Sequence, residues 1–154
     1  MGVTKYTPAK DGQSGTFVHY TAAEGLPGGV GSILADRNGY LWFSTGNGLI
    51  RHEPAKQGHS GAFTHFTAAQ GIPTNGLGSI VEDKSGILWI ATRNGLFKYD
   101  PSTSLRTGST LPAGQASFLN FTTAEGLSAN VLSRVVEDKE GNLWIPTYGG
   151  GVNK

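Results

Sequence analysis

The polar residues best suited to bind a ligand or to take part in chemistry recur at one fixed position, directly before a glycine. Glu24, Gln70 and Glu125 occupy equivalent positions, and each stands directly before a glycine. Carboxylate and amide oxygens at such a point can bind a polar ligand, or they can accept hydrogen bonds from the backbone of their own loop. The spacing leaves both interpretations open and favours the local capping role.

Histidine is the other residue type here that could support acid–base or metal chemistry. His19 and His65 share a repeat position at which the third copy has Asn120, and His52 and His59 complete the set of 4. Their spacing fits no recognised zinc pattern, and strand alternation places His19 and His65 on an exposed face. The sequence therefore predicts no metal site, no cofactor and no catalytic residue.

Composition excludes several classes of function. The chain has 154 residues, a formal net charge of +1 and no cysteine, which rules out disulfides and thiolate chemistry. No basic stripe is present to attract nucleic acid. No apolar run approaches the roughly 20 residues of a membrane helix, so we expect no membrane insertion of this chain.

The segments that must position the polar residues occur three times. One lies at 19–26, 65–72 and 120–127, and another lies at 36–42, 83–89 and 138–144. Trp42, Trp89 and Trp144 are consequently separated by 47 and then 55 residues. Self-similarity in this range is typical of stacked supersecondary units.

Each repeat is predicted to hold four short antiparallel strands. In the second copy, runs rich in apolar residues at 77–83, 87–92 and 96–100 are separated by turn sequences, and a fourth run follows at 117–122. No segment has the apolar periodicity of a helix. Four such strands match one blade of a β-propeller, so we predict an all-β fold of propeller blades with three repeats per chain.

The repeated Asp and Trp residues have structural interpretations. Asp36 and its equivalents open the first turn, where a carboxylate can accept backbone N–H bonds. The tryptophans follow at a constant offset, and their large flat rings suit the space between packed sheets.

In a propeller, the loop before the first strand and the turn between the second and third strands lie at the same face, around the central channel. A polar ring at that face is the candidate site for a small ligand. Beside Glu24, Gln70 and Glu125, its candidate members are Asn47, Arg93, Asn94, Tyr148 and Arg134.

The repeated pattern Asp-x-x-Gly-x-Leu-Trp-[Phe/Ile]-x-Thr, preceded by Thr-x-x-[Glu/Gln]-Gly-[Leu/Ile], resembles the two-component regulator propeller repeat. The resemblance covers nearly the whole chain and implies a sensor propeller of a hybrid two-component system. It also implies a periplasmic or extracellular parent protein. More distantly, the Gly-x-Leu-Trp strand resembles blades of streptogramin lyase, but the catalytic constellation of that enzyme has no counterpart among these residues.

We expect a single repeat domain over 1–154. Blade-length repeats are predicted at about 2–47, 48–94 and 95–149, with 150–154 beginning a further strand. The link at 102–116 is longer than its counterparts in the other copies.

The phase of the repeat predicts complementary ends. Residues 2–8 resemble the third strands at 48–54 and 95–101, whereas 131–138 and 142–147 resemble first and second strands. Since unpaired edges are unfavourable, we expect these half-blades to pair head to tail between chains. A homodimer with six blades is weakly favoured over a homotrimer with nine. The alternative is a fragment that needs further blades from its parent chain.

The sequence thus favours a non-enzymatic propeller scaffold that self-assembles. It leaves open whether the chain is natural, excised or engineered. The alternatives are a propeller enzyme, lyase or hydrolase, and a protein-interaction platform, either acting at the channel face.

Overall fold

The computed structural model describes residues 1–55, 61–74, 76–102 and 118–154, and these residues form antiparallel strands joined by short turns. The strands are β1 (Val3–Thr7), β2 (Thr16–Tyr20), β3 (Val30–Ala35), β4 (Leu41–Thr45), β5 (Gly48–Glu53), β6 (Ala62–Phe66), β7 (Leu77–Glu82), β8 (Leu88–Thr92), β9 (Gly95–Tyr99), β10 (Phe118–Phe121), β11 (Val136–Glu137), β12 (Leu143–Thr147) and β13 (Gly151–Asn153). Three-residue 3₁₀ turns lie at Ala22–Glu24, Ala68–Gln70 and Thr123–Glu125.

Two complete four-stranded sheets lie between two incomplete ones. Sheet 1 has the order β3-β4-β5-β6, and sheet 2 has the order β7-β8-β9-β10. The N-terminal hairpin is β1-β2, and the C-terminal sheet is β11-β12-β13. The four strands predicted for the second repeat are confirmed as β7 to β10.

The sheets pack face to face with their first strands close together. Strand β3 contacts β7. A Cβ atom on Gly78, in β7, would lie 2.8 Å from the carbonyl oxygen of Ser133, so only glycine permits this approach of the backbones. This is the arrangement of neighbouring propeller blades.

The core between sheets 1 and 2 is built around Trp42, which is fully buried. Its ring lies 5.6 Å from the ring of Phe66 and 5.6 Å from that of Tyr99, measured between centroids. Leu88 and Ile90 complete the buried surface from sheet 2. The prediction that the repeated tryptophans fill the space between sheets is confirmed for this residue.

Each repeated aspartate organises its turn and holds the following tryptophan. Asp36 Oδ1 accepts bonds from the backbone N–H groups of Asn38 and Tyr40, both at 2.9 Å. Its Oδ2 accepts a bond from Trp42 Nε1 at 2.8 Å. Asp83 and Asp138 bind the indoles of Trp89 and Trp144 in the same way, at 2.8 and 2.7 Å. The turn role follows from the sequence, whereas the bond to the indole is an additional finding.

The cation after each of the first two repeated aspartates connects one turn to the next. Arg37 Nε lies 2.8 Å from Glu82 Oε1, and Arg37 also donates to the carbonyl oxygens of Asp83 and Lys84. Lys84 repeats this contact one sheet further on, with its Nζ donating to the carbonyl oxygen of Lys139. Successive sheets are thereby held in one relative orientation.

The C-terminal sheet differs from the sequence prediction. The sequence predicts a strand over 131–138, but β11 spans only Val136–Glu137, with an isolated bridge between Leu132 and Thr147. The reason is a contact between sheets, because the N–H of Val135 donates to Ser79 Oγ in sheet 2, at 2.8 Å, and not to a strand ladder.

Two sequence interpretations concern residues outside the described part of the chain: His59, and almost all of the long link at 102–116. Among the described residues, no helix has the length and apolar character needed to cross a membrane.

Candidate functional site

The loop before each first strand is closed by a capping box. Glu24 Oε2 accepts bonds from the backbone N–H of Thr21 at 2.7 Å and from Thr21 Oγ1 at 2.6 Å. In return, Thr21 Oγ1 accepts a bond from the N–H of Ala23 at 3.2 Å. One oxygen of this carboxylate is therefore occupied by its own loop.

The other two loops repeat the arrangement. Gln70 Oε1 accepts the N–H of Thr67 at 2.8 Å, and Glu125 Oε2 accepts that of Thr122 at 2.7 Å. The hydrogen bonds from the threonine side chains and then from the backbone lower the pKa of Glu24 and of Glu125. All three capping boxes thus use the side chains that sequence analysis placed in the candidate ligand site.

These carboxylates should make stability depend on acid. Because their pKa values are lowered in the folded protein, their contribution is complete above the unfolded value of 4.5 and is lost as pH falls through the folded values. Replacing Glu24 and Glu125 by glutamine, the residue that the second repeat has at position 70, should reduce the loss of stability at acidic pH. Thermal unfolding midpoints from about pH 7 to about pH 3 test this. Glu140→Gln is the control, and equal acid loss in wild type and double variant would contradict the expectation.

A recess of about 660 Å³ opens between the turns of sheet 2 and the C-terminal sheet. Arg93 and Tyr148 both line it, together with Val131 and Ser133. The backbone fixes their turns, because Arg93 N donates to the carbonyl of Gly76 at 3.0 Å and Tyr148 N donates to that of Val131 at 2.9 Å. Its lining therefore combines a cationic and an aromatic side chain, a pairing that suits an anionic or planar polar ligand.

The structure brings only part of the predicted set together at this recess. Asn94 is next to Arg93 in the same turn, where its carbonyl accepts a bond from Asn120 Nδ2 at 3.1 Å. Asn47 lies at the corresponding turn of sheet 1, and Arg134 is exposed on the run before β11. Neither Asn47 nor Arg134 is among the lining residues described.

A second cavity, which sequence analysis missed, lies between the N-terminal hairpin and sheet 1. It has a volume of about 240 Å³ and a largely apolar lining that includes Tyr20, Ile33, Phe43, His52 and Phe63. Burial first, and then the nearby charge of Lys5, lower the pKa of His52. The signal in the sequence was that His52 aligns with Tyr99, an interior aromatic residue.

The described residues contain no cluster of three or more His, Asp or Glu side chains that could hold a metal ion. His19 lies on the exposed N-terminal hairpin, with Nδ1 2.9 Å from Thr4 Oγ1. His65 is also exposed.

Residues 25–47 and 71–94 match the two component regulator propeller family. These two segments resemble two-component regulator propeller repeats. The resemblance inferred from the Asp-x-x-Gly-x-Leu-Trp pattern is therefore confirmed, and the capping-box glycines Gly25 and Gly71 begin the matched segments.

A solved structure has the same architecture. The extracellular domain assigned to the hybrid two component system BT3049 of B. thetaiotaomicron superimposes on 98% of this chain with a TM-score of 0.70 and 21% identity. The chain spans 18% of that protein's length. A second such domain, that of BT4673 from the same organism, aligns with 81% of this chain, with a TM-score of 0.44 and 22% identity. The alignment covers 24% of that domain. No curated protein sequence matches the chain.

The matched segments thus form strands and turns in the blades of a propeller fold.

Proposed function

We propose that this chain is a non-enzymatic propeller module that assembles head to tail with further copies of itself into a closed propeller. A homodimer would supply six blades and is preferred to a homotrimer with nine. For a parent protein that contains the chain, we propose an extracellular or periplasmic location, like that of the similar domains.

The observation that carries this proposal is the exposure of apolar residues whose repeat equivalents are buried between sheets. Ile33 is 51% exposed, whereas its equivalent Ile80 is 7% exposed. At the other end of the chain, Trp144 is 42% exposed, whereas Trp42 is fully buried. The two ends therefore present the two halves of an interface that the chain already forms internally, which is the property of a heterologous contact.

A second pair of surfaces supports the same contact. Tyr6 and Phe17 in the N-terminal hairpin have ring centroids 4.8 Å apart, as do the equivalent residues Tyr99 and Phe118. Tyr6 and Phe17 are exposed, yet Tyr99 is buried against the preceding sheet. On a second copy, they would lie over Trp89, which lines a cavity of about 420 Å³ beside the C-terminal sheet.

Light scattering coupled to size-exclusion chromatography tests the proposal. We expect a molar mass of twice 16.1 kDa that falls on dilution. A molar mass of three times that of the single chain would support self-assembly into a ring of nine blades in place of six. A mass of 16.1 kDa at every concentration would contradict the proposal. The variant Tyr6→Asp with Phe17→Asp should be monomeric, since both side chains are exposed in the single chain and their loss should leave its fold intact.

The recess lined by Arg93 and Tyr148 supports a second candidate function, binding of a small anionic or planar ligand at the channel face. Propeller domains commonly use this face for partners, and a protein-interaction platform would use the same residues. An enzymatic function would need a convergent acid–base pair there. Screening small carboxylates, phosphates and sugars by calorimetry against wild type and Arg93→Ala would distinguish a specific site from none.

A further inference from the structure

An aromatic cluster inside the chain shows how a tryptophan is held between two sheets. Phe66, Tyr99 and Phe118 form a triangle with centroid separations of 5.7 Å (Phe66–Tyr99), 4.8 Å (Tyr99–Phe118) and 5.8 Å (Phe66–Phe118). Trp42 stacks on Phe66 at an interplanar angle of 24° and meets Tyr99 edge-on at 62°. This geometry combines offset stacking with an edge-to-face contact, both favourable for aromatic pairs.

The same triangle occurs at the N-terminal end without its tryptophan. Tyr20, His52 and Phe63 are the repeat equivalents, with centroid separations of 5.7 Å (Tyr20–His52), 4.5 Å (His52–Phe63) and 6.3 Å (Tyr20–Phe63). The cavity of about 240 Å³ lies at this cluster and is also lined by Ile33 and Phe43. We call Tyr20, His52, Phe63, Ile33 and Phe43 the aromatic socket.

We propose that Trp144 of a second copy of this chain occupies the aromatic socket. This inference rests on the proposed self-assembly and names the residues that carry it. Trp144 is the repeat equivalent of Trp42, and its indole N–H is held by Asp138 at 2.7 Å, as Trp42 is held by Asp36. Its ring is thus oriented before association, which lowers the entropy cost of binding.

A cationic side chain covers each repeated tryptophan, and the one over Trp144 must be displaced when two copies associate. Arg51 lies 5.9 Å from the ring centroid of Trp42, and Lys98 lies 5.5 Å from that of Trp89. Lys154, directly after β13, takes this position over Trp144 at 5.4 Å. In the N-terminal hairpin, Lys5 is the repeat equivalent, so Lys5 and Lys154 are alternatives for one place.

Strands β13 and β1 are likewise alternatives for one edge of β12. β13 pairs through Gly151, Val152 and Asn153, opposite Thr147, Pro146 and Ile145. In sheet 2, the equivalent strand β9 pairs with β8 over five residues, Gly95 to Tyr99. β1 has the length to reproduce that longer ladder, so in the assembly β1 of a second copy displaces β13.

Complementation between two variants tests the socket. Trp144→Ala removes the occupant, and Ile33→Asp places a charge in the socket at a side chain that is half-exposed in the single chain. Each variant alone should associate at least about 30-fold more weakly than wild type, the effect of losing an interface hot spot. Their equimolar mixture retains one intact junction and should form a 1:1 complex. His65→Ala, on an exposed part of β6, is the control and should associate like wild type.

Two further variants act in the opposite direction. Deleting 151–154 frees the edge of β12 and should tighten association several-fold. His52→Tyr recreates the interior triangle, in which Tyr99 holds this position, and should also tighten it. Circular dichroism and thermal unfolding of each variant verify that the single chain is folded.

The outcomes separate the two proposals. A wild-type chain that stays monomeric overturns self-assembly and the socket together. A wild-type chain that assembles while Trp144→Ala assembles equally tightly, or a variant mixture that forms no 1:1 complex, overturns the socket and leaves self-assembly standing.

Discussion

Replacing Trp42 by alanine should lower the free energy of unfolding by about 3–5 kcal/mol, the range for removing a buried tryptophan or phenylalanine. Trp42 is fully buried between sheets 1 and 2, where Phe66 and Tyr99 enclose its ring. Its loss also leaves Asp36 without the indole donor. The alanine variant should therefore combine a cavity with a weakened turn.

Urea unfolding followed by far-ultraviolet circular dichroism measures this effect, at a protein concentration low enough to keep the wild-type chain monomeric, because association contributes to apparent stability. Trp144→Ala is the matched control, since it makes the same change at the same repeat position where the ring is 42% exposed. It should destabilise the single chain much less. Equal losses for both variants would contradict the packing described for Trp42.

Asp36→Ala should lower the free energy of unfolding by about 3 kcal/mol. The change leaves the buried indole N–H without its acceptor, and it removes the hydrogen bonds that close the turn. Asp36 is 6% exposed, and its two oxygens accept bonds from Asn38, Tyr40 and Trp42. Asp36→Asn keeps one acceptor and should fall between alanine and wild type.

The matched control for that change is Asp138→Ala, which removes the same bonds from the exposed indole of Trp144. The same unfolding experiment should show a smaller decrease for it. If Asp36→Ala left stability unchanged, the bond to the indole would be dispensable and the account of the repeated Asp–Trp pair would be wrong.

The sheet architecture followed from the sequence because it depends on local signals. Alternating apolar residues and turns with glycine recur at matching positions, so the strands β7 to β10 could be placed closely. Strand β11 could not, because its shortness results from a contact between Val135 and Ser79 in another sheet. The sequence of a single repeat does not indicate which residues of another sheet it will contact.

The candidate ligand site was only partly predictable for the same reason. Repeat spacing indicated which side chains share a face, and Arg93 and Tyr148 do line one recess. The repeat spacing did not distinguish residues that line the recess from those that close their own loop, as Glu24 and Glu125 do. Tyr20, His52 and Phe63 are the repeat equivalents of the residues around Trp42, but only the fold brings them together as the aromatic socket.

The most direct test of head-to-tail pairing is a disulfide between strands of different copies. In the proposed assembly, repetition of the Leu88–Tyr99 pair of sheet 2 would place Leu143 of one copy opposite Tyr6 of another. Facing residues of antiparallel strands lie within disulfide range, and the chain has no cysteine of its own. Mixing Tyr6→Cys with Leu143→Cys under mild oxidation should give a mixed disulfide as the main product. A yield no greater than that from Tyr6→Cys with Lys139→Cys would contradict the account.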